Sequence, residues 1–239
     1  MTNSTPSGPI DGILAAAAAE PPADAALGAA SADPALAAAL AHGRLVLWQA
    51  DPRDTHRVAQ LLALRGITAQ EALEAAPGMI DTIPLLVLAS LEDPDHPDDV
   101  DAALSVALAG AFMLPADTEE GREAAWMVTG LIIDPAAKTR PIGRDLLMGL
   151  AEAVDAIDPG APLWAFVEAS EHAVVASHLA AGFTRVGQLP HYAGITFPTG
   201  DGVLLLHEAA DPSAAEAGAG PPAGEDCGLG WVGLWPVTC

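Results

Sequence analysis

Periodicity along the 239-residue chain predicts a mixed α/β domain (an α+β mixed sheet) with strands outnumbering helices, and three observations carry it. Apolar runs of strand length recur at 45–48, 85–89, 126–133 and 163–167. Residues 142–157 place Leu146, Leu150, Val154 and Ile157 on one helical face before Asp158-Pro159-Gly160 stops them. All 9 Lys and Arg residues lie within 44–208, whereas both flanks carry only acids among Ala, Pro and Gly. The folded block is therefore 44–208. Residues 1–43 read as an Ala/Pro-rich acidic extension, mostly disordered or weakly helical, and 209–239 as a disordered Gly/Pro-rich acidic tail.

The elements follow in order. After the run Leu45–Trp48, Asp51-Pro52 is an N-cap with Pro in the first turn, opening a helix through Val58, Leu61, Leu62 and Arg65 to Gly66. Thr68 caps a second, short helix over 70–76, and Leu85–Ala89 is a strand. Residues 104–114 fit helix or strand equally because of their alanines, whereas 126–133 is strand-like. Beyond the 142–157 helix comes the 163–167 strand. Ser170 caps a helix that ends at Gly182, and 183–188 and 203–207 close the series as strands, the last entered through the turn Thr199-Gly200-Asp201-Gly202. Short Ala-rich helices fit 13–19 and 34–41, but alanine alone buries too little to dock them.

Composition removes several function classes. A net charge of −23 lacks the clustered cations that phosphate backbones require, which excludes a nucleic-acid binder. The longest strongly apolar stretch without charge or Pro, 102–114, is shorter than a membrane-spanning helix needs. No base precedes Arg44, so the Ala-rich start is no signal peptide, and a cytoplasmic protein is expected. Cys227 and Cys239 both fall in the tail, which leaves no disulfide frame and no thiolate metal site. The acidic run 92–101 fails as a calcium loop: with Asp93 first, the required Gly falls on Asp98 and the bidentate Glu on Leu104. It reads as a solvated loop, and no metal is expected.

Three of the nine cations, Lys138, Arg140 and Arg144, lie within seven positions where a strand gives way to the best helix. Unpaired N–H groups and the positive dipole end of a helix make such a junction an anion site. The alternative is that Arg140 and Arg144 only solvate the helix start or pair with Asp145 and Glu152. Neither a GxxxxGK[ST] loop nor a GxGxxG turn is present.

This segment resembles the pyrophosphate loop of the GNAT (GCN5-related) N-acetyltransferase superfamily, as a divergent member. Leu131, Ile133 and Pro135 match its strand end, Lys138 its first basic position, Pro141 its first Gly and Gly143 its last. A strand, a helix and then Gly182-Phe183 before another strand match a second family feature. The resemblance covers nearly all of the central block. It implies a mostly antiparallel sheet splayed at the fourth strand and flanked by helices, with acetyl-CoA as co-substrate. The backbone of Leu131, Ile132 and Ile133 would polarise the thioester. The loop would bind phosphates through the amides of Thr139, Arg140, Ile142, Gly143 and Arg144, with the Lys138 side chain beside them. Pro141 removes one donor. His178 stands where the family often has a Tyr acting as acid toward the leaving thiolate, and Glu171 where it often has an Asn at the cofactor. Glu123 is the nearest carboxylate ahead of the strand for proton removal.

The expected activity is thus acyl transfer from CoA to an amine of a small molecule or peptide, by direct attack in a ternary complex, since no cysteine in the domain could carry a thioester. A degenerate CoA-binding or interaction module is the alternative, motivated by Pro141 and the missing Tyr. A third reading is an acidic scaffold with Trp231 and Trp235 as partner hooks. The acceptor has no readable code, although net charge leans toward a cation such as a polyamine, and a homodimer stays open.

Overall fold

The computed structural model describes residues 34–96, 99–117, 121–138 and 140–209, together with 230–231. Helices are α1 (Pro34–His42), α2 (Thr55–Ala63), α3 (Ala69–Thr82), α4 (Ile142–Ile157) and α5 (His172–Ala180). Strands are β1 (Leu45–Gln49), β2 (Leu85–Leu91), β3 (Leu104–Leu114), β4 (Ala125–Ile133), β5 (Leu163–Glu168), β6 (Thr184–Leu189), β7 (His191–Tyr192), β8 (Ile195–Thr196), β9 (Gly202–His207) and β10 (Gly230–Trp231). One sheet runs β10-β1-β2-β3-β4-β5-β9-β6, antiparallel except at β10–β1 and β4–β5, and β7–β8 forms a separate hairpin.

Alternation along the strands sorts the core into two faces. Val87, Ala89, Ala107, Ala109, Trp126 and Ala165 pack with Leu146, Leu147 and Leu150 of α4 and with Val175 of α5. On the opposite face Leu86, Leu88, Leu108 and Ile132 meet Val58 and Leu61 of α2 and Ala72, Ala76 and Met79 of α3. Farther along that face Met127, Phe166 and Leu204 lie under Tyr192, Ile195 and Phe197. The central strands are covered on both sides, which is why β3 is a strand in spite of its alanines. Small side chains at 107, 109 and 111 let α4 sit close, and pairing with β2 and β4 satisfies the backbone.

Four local expectations change. Helix α3 runs on to Thr82 through Pro77, because Leu73, whose carbonyl Pro77 leaves unpaired, is exposed to water while Met79 beyond it is buried. The Ser170 side chain caps nothing: α5 begins after Glu171 without a side-chain cap. Helix α1 lies before the expected start of the folded block, and its fully buried Ala39, with Leu36 and Leu40, packs on the α4 face. Gly230–Trp231, within the expected tail, pairs with Val46–Leu47 as an edge strand. Trp235, Cys227, Cys239 and the 13–19 helix lie outside the described residues.

Gly43 joins α1 to β1, and its N–H donates to the Ala39 carbonyl at 2.7 Å. A Cβ there would stand 2.5 Å from the Glu92 carbonyl oxygen and 2.6 Å from that of Ala39, both backbone atoms held by neighbouring elements. Gly43→Ala is expected to cost about 1–3 kcal/mol, measured by urea denaturation. An unchanged midpoint would show that the junction yields freely.

Candidate active site

The fourth strand sets the geometry. β4 and β5 are parallel and paired only at Trp126↔Leu163 and Met127↔Trp164. Beyond that pair both strands continue, to Ile133 and Glu168, without pairing. On its other edge β4 carries a bulge: Ile132 opposes Leu108 but Thr129 opposes Gly110, so one extra residue sits at 130–131. Gly130 there has φ 68°, a left-handed conformation that glycine adopts without strain. The bulge turns β4 away from β5 and opens a gap whose walls carry unpaired backbone groups. Leu131 and Glu168 both lie beyond the last pair, one on each strand.

At the end of β4 the chain makes a capped turn. The Asp134 carboxylate accepts from the Ala136 N–H at 2.8 Å, and Pro135–Ala137 is a single 3-10 turn. The Lys138 and Arg140 amides are then spent on the Pro135 and Ala137 carbonyls. Helix α4 starts after Pro141 with no side-chain cap. The first intrahelical bond runs from Asp145 N–H to the Pro141 carbonyl, so among the described residues the amides of Ile142, Gly143 and Arg144 have no acceptor at this end.

The three loop cations differ in what they can do. Lys138 is exposed, with no partner among the described residues. Arg140 is half-buried and donates from Nη1 to the Gly43 carbonyl at 2.8 Å, tying the loop to the start of β1. Arg144 is paired with Asp145, at 2.6 Å, as the alternative reading had it. The Arg140 amide is corrected out of the phosphate-binding set because a turn consumes it, and Thr139 lies outside the described residues. Gly143 has a packing reason of its own: a Cβ would stand 2.8 Å from Ile133 Cδ1 and 3.0 Å from Ser177 Oγ. A substitution there would disturb the α4–α5–β4 junction whether or not a ligand binds.

His178 does not fit the acid role. It is 1% exposed, its Nδ1–H donates to the Val174 carbonyl at 2.9 Å, and its ring lies edge-on to Phe183 at 5.0 Å between centroids. A carbonyl only accepts, so Nδ1 carries the proton and Nε2 presents a lone pair, which has no partner. Burial lowers its pKa to about 4, against the small opposing effect of the Val174 bond. A neutral imidazole of this tautomer has no proton to offer a departing sulfur.

Glu123 is likewise removed from the chemistry by position. It is exposed at the start of β4, eight residues and so about 26 Å of strand from Leu131. The carboxylates that reach the gap are Glu168 and Glu171. Glu171 is half-buried at the start of α5. Glu168 ends β5 with 8% exposure, on the same face as Trp164 and Phe166, and accepts from the Thr199 hydroxyl at 2.7 Å. Arg65, in the turn after α2, donates from Nη2 to the Leu131 carbonyl at 2.8 Å, so it too lies at the gap. Strand parity from Trp164 could have singled out Glu168; nothing local marks Arg65.

A cleft of about 240 Å³ at the other end of α4, lined by Met148, Glu152, Asp155 and His207 among others, is remote from this gap. Among the described residues no group of three or more His, Cys, Asp or Glu side chains could hold a metal ion, and no helix is long and apolar enough to cross a membrane.

The chain superimposes on Arabidopsis thaliana NAA60, solved in complex with acetyl-CoA, with a TM-score of 0.50 at 14% identity, over 69% of this chain and 99% of that one. The fold is that of the GNAT acetyltransferases. An acetyltransferase of the GNAT family from Streptococcus pneumoniae is similar at TM-score 0.48 and 15% identity, over 70% of this chain and all of that one. The ribosomal-protein-alanine N-acetyltransferase from Brucella melitensis is similar at 0.48 and 17%, over 68% and 99%. No protein-family model and no curated protein sequence matches the chain. In this chain only eight residues, 134–141, separate the unpaired end of β4 from the start of α4.

Proposed function

We propose that this protein is an acetyl-CoA-dependent N-acyltransferase that acylates an amine by direct attack within a ternary complex. The observation that carries the reading is the glycine bulge and unpaired edge of β4, followed at once by an uncapped helix start. Acetyl-CoA fits this arrangement: it supplies an acetyl group activated as a thioester, and the chain offers donors for its phosphates. Those donors are the amides of Ile142, Gly143 and Arg144, with Lys138 free to approach from the exposed side and Arg140 bracing the loop through Gly43. The set is smaller than in the sequence reading by the Arg140 amide and by the N–H that Pro141 lacks.

On the unpaired edge of β4, the backbone around Leu131–Ile133 donates to the carbonyl under attack, where fixed dipoles need no reorganisation. Glu168 takes the proton of the attacking amine, oriented by Thr199. With His178 neutral and buried, α5 supplies no acid, and water protonates the leaving sulfur.

Binding is testable without knowing the acceptor. Acetyl-CoA at 100 times its Kd is expected to raise the thermal midpoint by roughly 5–10 °C, and Lys138→Glu is expected to shrink that rise. No rise at millimolar acetyl-CoA would overturn the reading. A screen of amines with detection of released thiol then identifies the acceptor.

A further inference from the structure

The chain carries 32 acids, and among the described residues five of its arginines sit beside one: Arg44 on Glu92, Arg53 on Asp51, Arg57 on Asp54, Arg122 on Asp117 and Arg144 on Asp145. Arg65 does not. Its one side-chain hydrogen bond among the described residues goes from Nη2 to the Leu131 carbonyl, 2.8 Å away. A guanidinium has five N–H donors, so most of this fork is unspent. The side chain is half-buried, and burial pushes its pKa down while Glu171, acting over a longer distance, pushes it up. Glu171 begins α5 on one face of the sheet and Arg65 arrives from the α2–α3 turn on the other.

A half-buried cation with open donors at a substrate gap is completed by an anion, and a carboxylate matches the planar fork two bonds at a time. The open amides of α4 lie past Ile133 on the face that α4 covers, whereas Arg65 belongs to the α2–α3 face. The two anion-binding elements therefore serve different molecules. We infer that Arg65 binds a carboxylate of the acceptor, so that the amine acylated here is carried by an amino acid or a closely related amino-carboxylate. This inference rests on the acyltransferase reading and replaces the polyamine that net charge alone suggests. A diamine would bring a second cation toward a guanidinium.

The test compares acceptor pairs that differ only in the carboxylate: lysine with 1,5-diaminopentane, and phenylalanine with phenethylamine. Thiol release from acetyl-CoA is followed with the full chain. The carboxylated member is expected to have a kcat/KM roughly 10- to 100-fold higher. Arg65→Gln is expected to erase that preference by raising KM for the carboxylated member, and Arg65→Lys to retain part of it, while the midpoint rise with acetyl-CoA stays as in the wild type. The wild-type pairs decide the matter even if the variants fold poorly. Equal kcat/KM within the pairs, or no activity on either member while acetyl-CoA still binds, would overturn the carboxylate assignment alone. Loss of the acetyl-CoA midpoint rise in Arg65→Gln would assign the guanidinium to the cofactor instead. No midpoint rise in the wild type would overturn the acyltransferase reading and this inference with it.

Discussion

Acidification from pH 7.5 to pH 5 is expected to remove roughly 2 kcal/mol of folding stability through a single side chain, His178. The folded chain holds this imidazole neutral with a pKa of about 4, whereas the unfolded chain returns it to the ordinary value of 6.5. Between those values the unfolded chain binds a proton that the folded chain refuses. The contribution is fully present above pH 6.5 and is lost as the pH falls toward 4, where it reaches about 3 kcal/mol. Desolvation lowers the pKa of His207 as well, which adds to the loss in the same direction. His207 contacts the same Phe183 ring that His178 meets edge-on, so the two titrations share one wall. Urea denaturation at the two pH values, with wild type and His178→Phe, isolates the effect, because the 32 carboxylates contribute equally to both. The Phe variant is expected to lose the histidine component of the pH dependence. Equal slopes for the two proteins would mean that His178 is protonated in the folded state. Work at pH 5 also stays clear of the isoelectric point near 4.2, where a chain this acidic loses its charge and its solubility.

The same side chain shows where sequence reasoning stops. Its place seven residues after Glu171 and four before Gly182-Phe183 is legible, and so is the helix that carries it. Which way a helical residue faces depends on the sheet beneath, and α5 presents His178 to the core. Glu123 fails for a related reason. It is near the strand in sequence, but a strand separates its own two ends by its full length, so proximity to β4 is no measure of proximity to the gap. Apolar periodicity made the strands and α4 readable, because those segments are buried by a continuous stripe of large side chains. The alanines of β3 hid its class until its neighbours covered both faces. Arg65 is invisible locally: its role arises from a contact spanning 66 positions, and no pattern in the α2–α3 turn announces it. Gly130 lies inside an apolar run, where a glycine weakens a strand unless a bulge uses its left-handed freedom.

Glu168→Gln is expected to lower kcat by roughly 10²–10⁴-fold. The substitution preserves shape, and the amide oxygen still accepts from the Thr199 hydroxyl, so folding and acetyl-CoA binding are expected to stay near wild type. What disappears is a base at the end of β5, beyond its last pair with β4. Because the change falls on proton removal and not on binding, KM is expected to stay near wild type while kcat falls. Thr199→Val tests the support rather than the base. It removes the hydroxyl that fixes one oxygen, so a smaller loss of kcat is expected. Glu123→Gln supplies the contrast between position in sequence and position in the fold. A large loss at 123 with none at 168 would return the base to the exposed loop before β4, and the amine would then have to attack from the far end of the sheet. That outcome conflicts with the geometry, because near Glu123 β4 is paired on both edges, at Trp126↔Met113 and at Trp126↔Leu163, and offers the carbonyl no free donor.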